Sequence, residues 1–207
     1  MKTGHSALTP FLRSDAQGAI LAETMLDPAV ELSFASVARR AGVLPAVAHR
    51  ELTRLIEADV LHDRRDGNNR LVRANTEHPL WSLMSQLVIE TYGPVPVLQG
   101  LLADVSGVVE SYLYGSWAAR RAGQPGPPPR DLDVLVVGTA SRTDLLDVAE
   151  AASARLHTEV NVHRTSTEAW AARTDPFLAT VASRPKVQLT GAQTGRPGGE
   201  SSSERST

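Results

Sequence analysis

YLYGSWAARRAGQPGPPPRDLDVLVVG, residues 112–138, joins a short strand ending in Gly115-Ser116 to a second strand that opens with Asp131 and Asp133, one residue apart. Successive side chains of a strand point to opposite faces, so the two carboxylates share a face. Val134, Leu135, Val136 and Val137 follow as an apolar run of the kind covered on both faces, which would fix the pair at the rim of a rigid sheet. Two carboxylates so placed suit Mg²⁺, which is usually held by one or two of them together with substrate phosphates. Gly115 lets backbone N–H groups approach a phosphate, and the Ser116 hydroxyl can donate to it. Alone, Asp-x-Asp before a valine run is an ordinary solvated strand start, and Gly-Ser is a weaker signal still. The succession of strand, Gly-Ser, helix, Asp-x-Asp and strand is what makes a site of them.

In that order these residues resemble the nucleotidyltransferase superfamily, and especially its minimal nucleotidyltransferases, over about Pro94 to Gly191. The resemblance implies binding of an NTP with Mg²⁺ and a third acidic residue from a later strand. The candidate is Glu159 in HTEVNVHR, residues 157–164, where Glu159, Asn161 and His163 share a strand face; a Glu at a strand entrance is otherwise a solvated end. On the same resemblance Asp131, Asp133 and Glu159 are the catalytic, metal-holding residues, and Gly115 and Ser116 hold the β- and γ-phosphates. Arg120, Arg121 or Arg130 would neutralise developing charge, with two neighbours in the helix after Gly-Ser competing for one role. The chain departs from the family in one respect. Its interval from Ser116 to Asp131 is longer than usual and carries the insert Gly123–Pro129, GQPGPPP, a loop that proline keeps out of the helix. The insert either lengthens a lid or marks a domain that has lost catalysis.

The whole chain has 207 residues, 42% of them hydrophobic and 21% charged, enough for one large or two small domains. It has no cysteine, which excludes disulfides, thiolate zinc sites and cysteine nucleophiles. No stretch has the pattern of a signal peptide or the length of a membrane span, so a soluble cytoplasmic protein without a membrane partner is expected. The abundance of Ala, Arg, Val and Leu suggests a bacterial source of high GC content. The fold class expected is α+β / α/β in two domains, divided as a flexible arm (1–12), an N-terminal domain (13–76), a helical linker or dimerisation segment (77–105), an α/β domain with a small mixed sheet (106–191) and a disordered tail (192–207).

The N-terminal domain is read from its punctuation. A helix starts at Ser14 or Asp15 and stops at Asp27-Pro28; Ser33 caps a second, with Phe34, Val37, Ala38 and Ala41 on one face and Gly42 at its end. A third helix starts near Pro45 and buries Val47, Leu52, Leu55 and Ile56. Val60–His62 and Leu71–Arg73 read as strands around an Asp66-Gly67 turn. Helix-turn-helix followed by a basic-tipped hairpin resembles the winged-helix regulators of the ArsR and MarR type, from about Leu12 to Asn75. Asp59 stands where such proteins often carry glycine, and Asp tolerates the left-handed conformation that the turn requires.

Charge agrees with a nucleic-acid role for this domain. Between Arg39 and Arg73 eight arginines face five acids, while the chain as a whole carries −2. His49, Arg50, Thr53 and Arg54 lie off the apolar face of the third helix, placed for a major groove, and Arg64, Arg65 and Arg70 occupy the wing, placed for phosphate or minor groove. Arginine is also an ordinary solvated residue, so topology carries this reading more than charge does. Leu80, Leu83, Met84, Leu87 and Val88 stripe a following helix, which suits either a homodimer or packing on the second domain. Three functions stay open. The first is a transcriptional regulator that binds double-stranded DNA and holds NTP·Mg²⁺ in its second half, modifying a target or reporting nucleotide status. The second is a genuine nucleotidyltransferase, transferring NMP to a protein or small molecule, whose winged helix serves recruitment or autoregulation. The third is an antitoxin-type enzyme with a protein partner.

Overall fold

A computed structural model describes residues 12–191 of the chain. The flexible arm, but for Leu12, and the tail expected at 192–207 lie outside the described residues. The protein is a two-domain α+β chain, and its two compact units are residues 1–97 and 98–207. The division falls inside the expected linker.

In the first unit the expected caps are in place. The Ser14 hydroxyl accepts the Gln17 N–H at the start of α1 (Asp15–Met25), and the Ser33 hydroxyl accepts that of Ser36 at the start of α2 (Phe34–Arg40). Pro45 opens α3 (Pro45–Glu57), where the absent N–H costs nothing. Asp59 closes it in the left-handed conformation, φ 57°; its N–H reaches Ile56 O and that of Val60 reaches Leu55 O, so two end carbonyls are satisfied without glycine. The wing is longer than the apolar residues alone indicate, because β2 (Leu61–Asp66) and β3 (Asn69–Ala74) pair out to Asp66 and Asn69 around Gly67-Asn68. Only Leu61 of β2 is buried, and an exposed, charged strand gives no alternating apolar signal. A two-residue strand that the sequence did not announce, β1 (Leu32–Ser33), pairs with β3 and gives the order β1-β3-β2. Ile20, Val37, Ala48, Leu52, Leu61 and Val72 form the core beneath. The helix α4 (Trp81–Tyr92) buries Val88, whereas Leu80, Leu83 and Leu87 of the expected stripe are exposed.

The helix α5 (Pro94–Leu102) crosses the division between the units. In the second unit β4 (Val108–Tyr114) runs directly into α6 (Gly115–Arg121), two residues earlier than the helix expected from Trp117. There follow β5 (Asp131–Gly138), α7 (Arg142–Leu156), β6 (Glu159–Thr165), α8 (Thr167–Ala172), α9 (Pro176–Ser183) and β7 (Val187–Thr190). The sheet order is β6-β5-β4-β7; β5 and β6 are parallel, and the other neighbours antiparallel, so the sheet is small and mixed. Its central strand explains the apolar run, since Val134, Leu135 and Val136 have no exposed surface. Leu135 and Val137 pack with Tyr114, Trp170, Leu178 and Val181, so α8 and α9 cover the face that Asp131 and Asp133 share with them.

Leu135→Ala is expected to lower the unfolding free energy of this unit by about 2–5 kcal/mol, the usual range for a fully buried leucine. Urea denaturation followed by circular dichroism reads it, and a loss under ~1 kcal/mol would show that β5 does not anchor the core.

Candidate functional site

The carboxylates sit where β5 emerges from the core. Register places Asp133 opposite Tyr114 on β4 and opposite Asn161 on β6, and places Asp131 opposite Glu159. The backbone thus brings Asp131, Asp133, Glu159, Asn161 and His163 to one sheet face. The side chains divide further. Asp131 and Asp133 are half-buried, and Glu159 and His163 are exposed. Among the described residues no three His, Cys, Asp or Glu side chains form a group that could hold a metal ion, so Glu159 is level with the pair in register but not gathered with it.

Asp133 is held above the usual aspartate range, chiefly by burial and then by the neighbouring Asp131 carboxylate; a hydrogen bond from Asn161 and the nearby His163 work in the opposite direction. Tyr114 is pushed up as well, by burial first and then by Asp133 and Asp131. Two carboxylates without a full counter-charge are suited to a cation. Gly115 adds the other half of the cradle. It has φ 76°, and a Cβ built there would collide with the Asp133 carboxylate. Only glycine satisfies both demands, which keeps the first turn of α6 against the carboxylate. Ser116 is exposed at the same turn. The donor set fits Mg²⁺ as two carboxylates plus ligand phosphates, without a three-carboxylate cage.

Arg120 lies four residues after Ser116, on the same face of α6. Its Nε and Nη1 are buried without a hydrogen-bond partner, and its guanidinium packs against Gly126, where any Cβ would collide with it. The insert therefore folds back on Arg120. Arg121 instead lies over the Trp117 ring, 5.5 Å from its centroid. The two arginines, which the sequence left as equals, differ in environment: Arg120 has buried donors with no partner among the described residues, and Arg121 stacks on Trp117. Arg130 is exposed. Sequence reasoning singled out Asn161 only as a strand neighbour; its bond to Asp133 follows from register, which a single sequence does not print.

The DNA-facing candidates are less free than their charges suggest. Arg64 makes a bidentate pair with Glu31, at 2.6 Å for the closest contact, and Arg70 pairs with Asp63 at 2.6 Å while lying over the Phe34 ring. Arg54 and Arg50 both approach the buried Glu51, at 3.0 and 3.5 Å. Arg65 takes part in none of these pairs, and His49 is exposed with its ring against Phe34. Thr53 departs from the outward placement expected of it, since its hydroxyl oxygen is buried without a partner. A count of eight arginines against five acids did not register Glu31, which precedes the counted span and is brought to the wing by β1.

The sequence matches no protein-family model and no curated protein. Two solved structures are similar in part. One is a toxin-antitoxin with AMP-PNP, at 20% identity and TM-score 0.35, covering 47% of this chain and 73% of the other. The second is the transcriptional regulator BldR from Sulfolobus solfataricus, at 17% identity and TM-score 0.35, covering 48% of this chain and 68% of the other. Similarity at this level carries no inference about function. Among the described residues no helix is long and apolar enough to cross a membrane.

The raised position of Asp133 has a definite sign. Because the folded group holds its proton to higher pH than the unfolded one, its stabilising contribution is present below the ordinary aspartate pKa and is lost as pH rises through the folded value. Asp133→Asn should therefore melt higher than wild type at about pH 7, with the difference narrowing toward about pH 4. A variant that melts lower at neutral pH would show that the carboxylate serves the fold.

Proposed function

We propose that the second unit binds a nucleoside triphosphate with Mg²⁺ and that the first contacts double-stranded DNA, making the chain a DNA-binding transcriptional regulator with a nucleotide site of the nucleotidyltransferase type. The observation that carries this reading is the closure of Gly115 on Asp133. A backbone bent to φ 76°, with no room for a side chain, sets helix N–H groups beside a half-buried carboxylate pair, and that is a cradle for phosphate and cation together. Asp131 and Asp133 would hold the cation, which when bound would neutralise phosphate charge and polarise the phosphorus. The Gly115 N–H and the Ser116 hydroxyl would bind phosphate oxygens, and the Arg120 guanidinium supplies the positive charge that the acidic rim lacks.

A second reading is transfer of NMP, with Glu159 available at the Asp131 level to complete the acidic set once a ligand is in place. An acceptor oxygen would then form a bond to the α-phosphorus as the bond to the bridging oxygen breaks, pyrophosphate leaves, and the acceptor proton passes to a carboxylate. A protein acceptor and a small molecule both satisfy that chemistry. A homodimer stays a proposal for α4, whose Leu83 and Leu87 are exposed, as is Leu80 just before it.

The nucleotide half is tested by melting wild type and Asp133→Asn with each Mg·NTP. A ligand that binds only the folded protein raises the melting temperature, by the equivalent of about 2.7 kcal/mol at a hundredfold excess over Kd. The expected result is a rise in wild type that is absent in the variant; no rise with any nucleotide would remove the site. The DNA half is tested by titrating duplex DNA at several salt concentrations. Arg65→Ala should weaken binding and reduce the salt slope by about one, because Arg65 is outside the ion pairs. Glu31→Gln should tighten binding by releasing Arg64. Absence of any salt-dependent binding would leave the wing as a structural hairpin.

A further inference from the structure

Beyond the carboxylates the same face of the sheet carries three aromatic rings in mutual contact. Tyr114 and His163 have centroids 6.4 Å apart, Tyr114 and Phe177 5.9 Å, and His163 and Phe177 5.6 Å. Tyr114 is buried beneath, while Phe177 is 42% exposed and His163 is exposed. The helix α9 does not depend on Phe177 for its anchorage, because Leu178 and Val181 provide that at 5% and 3% exposure. Yet the ring rests against Tyr114 and His163, and the backbone that carries it is fixed. The Asp175 carboxylate accepts the Phe177 N–H at 2.7 Å and fixes the first turn of the helix. A large aromatic ring pinned at the surface, away from the apolar anchor of its own helix, is costly to solvate and offers a face for stacking.

Its position relative to the carboxylates suggests what would stack there. Tyr114 pairs with Asp133, and His163 pairs with Leu135, two residues further along the face. Two residues of strand are about 7 Å. On this face Asp133, the Asn161 amide and the Tyr114 ring are level and the His163 ring lies one step beyond, so the carboxylates and the rings are within the span of one nucleotide. Both carboxylates also act on the Tyr114 hydroxyl, which is pushed up partly by their charge, so the rings and the acids share one local field.

We propose that Phe177 and His163, backed by Tyr114, form a stacking platform for the base of the nucleoside triphosphate; this rests on the nucleotide reading above. The ligand class is defined by its π face, so the platform accepts any of the four common bases and holds purines more tightly for their larger area. Phe177 binds the part of the ligand that does not react, while the acidic pair and Gly115-Ser116 bind the part that does.

Isothermal titration of the full chain with two probes, each with Mg²⁺, separates these roles: ATP, and inorganic tripolyphosphate, which has no base. Phe177→Ala should weaken ATP by roughly five- to a hundredfold, the range for loss of one base–aromatic stack. Tripolyphosphate binding should be unchanged, and Phe177→Trp should restore ATP. Asp133→Asn should lose both probes. ATP binding unchanged in both Phe177→Ala and His163→Ala, while Asp133→Asn abolishes it, overturns the platform and leaves the phosphate site standing. Equal loss of both probes in Phe177→Ala, or failure of Trp to rescue a variant that melts like wild type, also overturns it. If wild type binds neither probe, the nucleotide reading fails first and the platform with it.

Discussion

The pleat of β5 is the constraint on which the second unit depends. Asp131, Asp133, Leu135 and Val137 alternate onto one face, and that face changes character halfway along: Leu135 and Val137 are sealed under α8 and α9, and the two aspartates emerge beyond the seal. Anchorage and the carboxylate pair are thereby placed on a single rigid element. The register is held because a shift of one residue would turn both carboxylates onto the opposite face, where Leu132, Val134 and Val136 are buried. Gly115, the bond from Asn161 and the ring of Tyr114 are all set against the pair by the two ladders that β5 makes with its neighbours. The cost of Asp133, set by its burial first and by Asp131 second, falls on a strand whose apolar half is thoroughly buried.

The first unit solves a different problem, that of carrying many arginines on a small hairpin without unfolding it. Arg64 with Glu31 and Arg70 with Asp63 neutralise the wing, and Glu51 serves Arg50 and Arg54 on the helix behind it. The two pairs on the wing are exposed and contribute little to stability. Their larger effect is on competition, since a phosphate approaching Arg64 must displace a carboxylate that already offers bidentate geometry. A surface that exchanges one anion for another binds nucleic acid weakly and reversibly unless the base contacts are good.

Much of this was legible in the sequence, for identifiable reasons. Caps at Ser14 and Ser33, Pro45 at a helix start, and the apolar run 134–137 are local signals, and each produced the element it announces. Asp59 was legible because the turn requires a left-handed residue and little else offers one. What escaped was contact between distant segments. The strand Leu32–Ser33 is too short to leave a pattern, yet it carries Glu31 to Arg64. The partition between Arg120 and Arg121 depends on which of them faces the insert, and the closeness of Asn161 to Asp133 depends on register. The ring triangle unites residues of β4, β6 and α9, more than sixty positions apart at the extreme, and no window of sequence contains it.

The loop Gly123–Pro129 has an entropic consequence. A free arginine side chain carries roughly 2 kcal/mol of rotamer entropy, which a salt bridge or an anion must suppress before any attraction is gained. Here the backbone at Gly126 already confines the Arg120 guanidinium, and the three consecutive prolines that follow restrict the loop itself. The ordering is complete when the chain folds, so an anion meeting Arg120 finds a donor fork that no longer has to be stilled.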